Sequence, residues 1–342
     1  MIKEGPRGSR DVPPNAPARS FPATMSDLFG LAFPFFGLIL LGYFCGWRVR
    51  LPETGLAWLT FFIIYVALPA LFYRIVAQTP IHELANPAFI LAVVVSTATT
   101  AALAFAIGLM FRRGNVGEGA IAITIGAYAN VGYMGPGLTI AALGQAAASP
   151  AALIFACDSV FFFTVVPLLM AMRGRGESLA HTFGLIAKRV LTHPFNIATL
   201  LGVVAAALEF KEPDALARML DFLKNAAAPC ALFTLGVTVA LRPLRRVPAE
   251  LGPLLLLKLV GHPAIALVSL SLFGPFSPVW AQTLLLMAAL PPALNVFVLA
   301  RQYHVFVEEA STAVLLGTLS SIVTVTGMLY LLREQLIPLS LF

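Results

Sequence analysis

Four polar residues of this chain stand where polar groups are hardest to justify. Asn130, Asp158, Lys258 and Asn295 each lie inside a long apolar run. Asp158, in Ile154-Phe-Ala-Cys-Asp-Ser-Val160, is the only carboxylate deep within such a run. A lone acid in hydrocarbon surroundings must be protonated, paired or bound to a cation. That chemistry suits coupling to H⁺ or Na⁺; the plainer reading is a structural hydrogen bond or ion pair. Lys258, in Leu255-Leu-Leu-Lys-Leu-Val260, is the only deep base. It sits roughly 12 Å from the nearer end of its helix. It could balance Asp158, attract an anion, or snorkel to the interface with strain. Asn130 stands in Gly126-Ala-Tyr-Ala-Asn-Val-Gly-Tyr-Met-Gly-Pro-Gly-Leu138, among four glycines and Pro136. Asn295 follows Pro291-Pro292 in a second interrupted run. Cys45, Cys157 and Cys230 are far apart and show neither metal spacing nor a disulfide framework. No cofactor motif is present. Paired intramembrane aspartates, a His-Glu-x-x-His motif or a Ser–His constellation would be needed for a membrane enzyme, and none is found.

The elements that carry these residues must be membrane spans. The chain has 342 residues, 59% of them hydrophobic and only 11% charged. A soluble domain carries about 25% charged residues. The net charge of +6 comes from basic residues in short loops, as insertion into a bilayer requires, and not from a nucleic-acid surface. Ten spans of about 20 apolar residues are expected, near 28–47, 54–73, 87–111, 117–143, 150–172, 192–209, 219–241, 250–273, 279–300 and 311–333. Residues 1–24, rich in proline, read as a disordered tail. Met25 is a candidate start, because Ser26-Asp27 would cap the first span. A cleaved signal peptide is the other reading of this end, although the run from Leu28 to Trp47 is long enough to span.

The longest polar break, 173–190, halves the chain into 25–172 and 191–342. Short matches recur across it. Pro34-Phe35 and Leu40-Leu-Gly42 return as Pro194-Phe195 and Leu200-Leu-Gly202, offset by 160. Ala70-Leu-Phe72 returns as Ala231-Leu-Phe233, offset by 161. Two five-span units are expected, and an odd span number inserts the second copy upside down. Most Lys and Arg fall in loops after odd-numbered spans, which makes the 173–190 linker cytoplasmic and both termini external. Arg7, Arg10 and Arg19 of the tail argue the other way unless Met25 is the start. Arg74, Lys224 and Arg301, near span ends, are expected to anchor at the interface. His193 and His262 each precede a proline and are expected to pack at helix starts, with proton relay as the other reading.

Spans four and nine then correspond, and both are interrupted beside an Asn. Proline removes a backbone donor, and each glycine weakens a helix interior by roughly 1 kcal/mol. Such breaks are tolerated in a bilayer only when buried in protein or lining a cavity, and matching breaks mark a transporter's binding site. Amides freed at the start of the second half-helix would present a positive dipole to an anion such as a carboxylate. Asn130 would add a neutral donor. The plainer reading is that these residues merely kink two helices.

Asn130-Val-Gly-Tyr-Met-Gly-Pro136, with Ala289-Leu-Pro-Pro292 and Phe297-Val-Leu-Ala-Arg-Gln-Tyr303, resembles the auxin efflux carrier family. Leu68-Pro-Ala-Leu-Phe72 and Ala228-Pro-Cys-Ala-Leu-Phe-Thr-Leu-Gly236 do so too. The resemblance runs from Met25 nearly to the end. It implies an all-α polytopic membrane protein with ten transmembrane helices in two inverted five-helix repeats, helices four and nine being broken and crossing. It also implies transport of a small organic anion, a mono- or dicarboxylate, and makes a homodimer plausible. The substrate carboxylate would lie near Asn130, with Pro291 at the crossover. Gly132, Tyr133, Gly135 and Pro136 from one break, and Pro292 and Asn295 from the other, complete the candidate binding set. Asp158 and Lys258 are the candidate coupling residues. Family members of plant origin often carry Pro before that Asn; here Ala129 stands there, so unwinding must lean on Gly132, Gly135 and Pro136. The long plant loop between spans five and six is absent, as in shorter bacterial members that carry malonate and related acids. The expected function is secondary active transport across a bacterial inner membrane. A membrane-embedded sensor and a passive anion channel are the alternatives.

Overall fold

A computed structural model describes residues 25–50, 52–173, 184, 188, 191–192, 194–241 and 247–341. The proline-rich tail, most of the 173–190 linker and His193 lie outside the described residues. Twelve helices organise the rest: α1 Met25–Val49, α2 Thr54–Ala77, α3 Pro87–Phe111, α4 Val116–Ala127, α5 Gly135–Leu143, α6 Ala148–Arg173, α7 Pro194–Ala207, α8 Asp214–Ala240, α9 Leu251–Phe273, α10 Pro278–Ala288, α11 Leu294–Tyr303 and α12 Val307–Arg333. Six helices are long and apolar enough to cross a membrane, and four shorter apolar helices accompany them among the described residues. No named strand occurs among the described residues.

Local chemistry sets the boundaries. Asn86 accepts from the Phe89 amide, and Pro87 opens α3 where its missing N–H is harmless. The Asn115 side chain accepts from the Gly117 and Glu118 amides at the start of α4. Two long helices each contain a π turn, Ile63–Ala67 in α2 and Leu257–Gly261 in α9. Each ends two residues before a proline, Pro69 and Pro263. A widened turn is one way for a helix to continue through a residue that has no N–H and whose ring crowds the preceding turn. His262 therefore lies inside a continuous helix, not at a helix start as expected.

The helices form two packed groups. In one, α1 packs along α8, α2 along α7, and α2 touches α8. In the other, α3 packs on α4 and α9, α4 on α6, α9 on α10, and α11 on α12. Two close approaches hold the first group. A Cβ at Gly42 would overlap the Phe233 carbonyl oxygen, and one at Gly236 would overlap the Ile39 carbonyl oxygen. On the other pair, a Cβ at Gly202 would meet the Val76 Cβ at 2.9 Å and the Tyr73 oxygen at 3.1 Å.

Each group carries its own ion cluster. Arg74 is buried, with 8% exposure, and does not anchor at an interface as expected. Its guanidinium grips Asp221 with two bonds of 3.0 and 3.1 Å and Glu212 with one of 3.2 Å. In the second group, Arg112 after α3 pairs with Glu250 before α9, Glu309 of α12 and Glu118 of α4. Burial works against the Arg112 charge, but bonding to Glu250 and the three carboxylates outweigh it and raise its pKa. Arg301 is exposed and lies over the Phe297 ring at 5.8 Å.

Candidate functional site

Helix α4 stops at Ala127 because Tyr128 turns to extended geometry, with φ −78° and ψ 95°. Helix α10 stops at Ala288, and Pro291 and Pro292 hold the chain extended until α11 begins at Leu294. The two breaks meet. The Asn130 amide donates to the Pro291 carbonyl at 2.8 Å, and the Ala293 amide donates to the Tyr128 carbonyl at 3.0 Å. Ala129 and Pro292 form the antiparallel bridge between them. Unpaired backbone groups away from water cost several kcal/mol each. Here each break supplies the partner that the other lacks. Gly317 of α12 permits the approach, since a Cβ there would stand 2.5 Å from the Pro292 Cδ.

Asn130 is fully buried. Its carbonyl accepts from the Met134 and Gly135 amides at 3.1 and 3.2 Å, and its Oδ1 accepts from the Tyr133 amide at 3.3 Å. The amides expected to be free at the start of α5 are thus largely held by Asn130 itself. Asn binds neighbouring backbone in this way because its side chain is short and polar. What remains is Nδ2, a buried donor with no partner. Leaving such a group unmet costs about 1–3 kcal/mol.

The other expected site residues surround this point unequally. Gly132 faces Phe155, whose ring would lie 3.3 Å from an added Cβ and which stacks on Phe72 at 3.6 Å. Gly135 lies against the Met287 methyl, Pro136 sits in the first turn of α5, and Tyr133 is buried. Asn295 donates to the Tyr128 hydroxyl at 3.2 Å. Tyr128 in turn stacks on Phe162 at 4.2 Å. Tyr128 was not singled out from sequence, because nothing in an isolated tyrosine distinguishes it from core.

Asp158 of α6 is buried and accepts from the Thr97 hydroxyl at 2.8 Å. Lys258 is wholly buried, so it does not snorkel. It lies in the π turn of α9, and its Nζ donates to the Ala288 carbonyl at 2.6 Å and approaches the His262 Nδ1 at 3.2 Å. Lys258 and Asp158 are near enough for each charge to act on the other, but no direct ion pair joins them among the described residues. Thr97 also escaped the sequence reading, although it stands 161 residues before Lys258, an offset already present in the chain.

A cavity of about 470 Å³ opens between the two helix groups. Ile64 and Tyr65 of α2 and Phe195 of α7 form one wall; Asn295 and Gln302 of α11 and Phe163 of α6 form the other. No Lys, Arg, Asp or Glu is among its lining residues. Of the expected binding residues only Asn295 reaches it; Asn130, Gly132, Tyr133, Gly135, Pro136, Pro291 and Pro292 do not line it.

A charge-poor helical bundle with two broken helices paired at their breaks defines an integral membrane protein built for transport. The chain belongs to the Membrane transport protein family, whose model matches residues 28–329. It is 49% identical over 319 residues to a protein of Rhizobium meliloti (strain 1021) named "Putative malonate transporter", covering 93% of this chain and all of that one. It is 26% identical over 291 residues to an "Uncharacterized transporter" of Methanothermobacter thermautotrophicus, covering 84% and 92%. Auxin efflux carrier component 1 of Arabidopsis thaliana is 28% identical over 158 residues, covering 43% of this chain and 24% of the plant protein. The protein is thus a membrane transporter related to the auxin efflux carriers, and its relatives are named as transporters, not enzymes.

Proposed function

We propose that this protein is a secondary transporter that moves a small mono- or dicarboxylate across a bacterial inner membrane by alternating access. One observation carries the reading: the unpartnered Nδ2 of Asn130, buried at the paired breaks. A carboxylate oxygen is the natural acceptor for that donor, and charge-assisted bonds are the stronger kind. The name of the Rhizobium relative supports the substrate class. A cavity lined without charged groups supports recognition by amides and helix dipoles. Asn295 would receive substrate from the cavity, and Asn130 would bind it once the two helix groups shift.

The same proposal includes ten spans in two inverted five-helix repeats with both termini outside. The packing supports it. Gly42 and Gly202, matched in sequence, each lie against the helix that carries the matched Phe233 or Phe72 segment. Asp158 is proposed to carry the coupling proton, because it is buried with a single neutral hydrogen-bond donor, Thr97. The test is counterflow into proteoliposomes with a panel of C2–C6 mono- and dicarboxylates. Substrate-selective, saturable exchange is expected. Non-saturable flux would indicate a channel, and no flux with any acid would refute the substrate class.

A further inference from the structure

The Lys258 ammonium occupies an unusual position. Helix α10 ends inside the protein at Ala288, where its dipole leaves about half a negative charge. The carbonyls at such an end have no intrahelical partner and need one from elsewhere. Broken helices of transporters commonly place these carbonyl ends on a coupling cation. Here the cation is covalently attached: Lys258 Nζ lies 2.6 Å from the Ala288 oxygen. The π turn Leu257–Gly261 carries the lysine. Asp158 of α6, which accepts from the Thr97 hydroxyl of α3, is the acid whose charge acts on the ammonium without a direct ion pair. His262, one turn along α9, offers Nδ1 at 3.2 Å to the ammonium. The groups in contact with the ammonium are therefore a backbone carbonyl and an imidazole nitrogen, with a carboxylate near enough for its charge to act. A helix's carbonyl end with an acid near it suits a monovalent cation, and here a side chain fills the place.

We infer that the Lys258 ammonium is a tethered cation holding a cation site at the carbonyl end of α10. Transport by this protein then needs no sodium or other alkali ion. Truncating Lys258 uncovers a site for a free alkali cation beside the Ala288 carbonyl and the Asp158 carboxylate. A structural cap alone would explain the 2.6 Å bond, but it would not give a truncated protein any ion selectivity.

The inference rests on the transporter reading only for its functional meaning, so its test uses no substrate. Thermal unfolding midpoints of the purified full-length protein are measured in NaCl, KCl and choline chloride at equal ionic strength. Wild type is expected to unfold at one temperature in all three. Lys258→Ala is expected to gain at least about 3 °C in NaCl or KCl over choline, with saturation. Lys258→Arg keeps the charge and should behave as wild type. Should the alanine variant fail to fold, Lys258→Gln, which removes the charge and whose side-chain oxygen can itself face a cation, is expected to gain the same dependence. Selective stabilisation of wild type by Na⁺ or K⁺ would overturn the inference. So would truncated variants that respond to choline as they do to alkali ions. A failure of the carboxylate proposal would leave either result unchanged.

Discussion

The two chain breaks solve one backbone problem with different side chains. The first break, between α4 and α5, is closed locally: Asn130 gathers the Tyr133, Met134 and Gly135 amides through its own oxygen atoms. The second, between α10 and α11, is closed from outside: Pro291 and Pro292 prevent local bonds, and Lys258 reaches from α9 to the Ala288 carbonyl. The amide side chains differ as well. Asn295 spends an N–H on Tyr128 and borders the cavity, whereas Asn130 is buried with its Nδ2 free. The first break is therefore the binding element in this account. The second is its support and its charge balance.

The largest effect that would sharpen this contrast is expected at Asp158, the buried acid whose charge acts on the second break's lysine. Asp158→Asn mimics the protonated acid and removes its titration. Uphill accumulation of substrate should be lost entirely, while exchange between equal pools persists. Run with and without a proton gradient, the assay contradicts the coupling role if the variant still concentrates substrate as wild type does.

Packing supplies a second contrast, between the α1–α8 and α2–α7 pairs. Gly42→Ala forces a Cβ onto the Phe233 backbone oxygen and should destabilise by about 3 kcal/mol. Gly202→Ala meets the Val76 Cβ at 2.9 Å, a milder overlap than that at Gly42, and should lose about 1 kcal/mol. Thermal unfolding in detergent ranks the two. Equal losses would show that the deeper overlap at Gly42 relaxes as readily as the shallower one at Gly202.

The smallest effect is expected at the second break's amide. Asn295→Ala removes one neutral hydrogen bond to Tyr128, worth about 1 kcal/mol, and should weaken transport about fivefold. Tyr128→Phe should match it, because both lose the same bond. A loss at Asn295 as great as at Asn130 would make the two breaks equivalent and end the asymmetry.

Much of the helical layout was legible in sequence because apolar length and loop charge are local properties. The apolar run 87–111 is the helix Pro87–Phe111. The breaks were legible too, since Gly and Pro act where they stand. What sequence concealed were partners distant along the chain. Arg74 looked like an interface anchor because Glu212 and Asp221 lie 138 and 147 residues away. Lys258 was open to a snorkelling reading because its acceptor is a backbone carbonyl, which no side-chain pattern reveals. The amides before α5 looked free because the folding-back of Asn130 depends on the turn that Val131 and Gly132 make. The π turns left no composition signal of their own, although each lies just ahead of a proline.

The central claim is that the free Asn130 amide at the paired breaks binds a carboxylate. Its most direct test is calorimetric titration of purified protein with malonate, wild type against Asn130→Ala. Loss of one bond to a charged group is worth about 2 kcal/mol, so affinity should fall roughly thirtyfold. The unfolding midpoint of the ligand-free variant should stay near wild type, because losing the Oδ1 bond to the Tyr133 amide is offset by removing the buried unmet Nδ2 donor. Saturable malonate binding by Asn130→Ala at wild-type affinity would contradict the account.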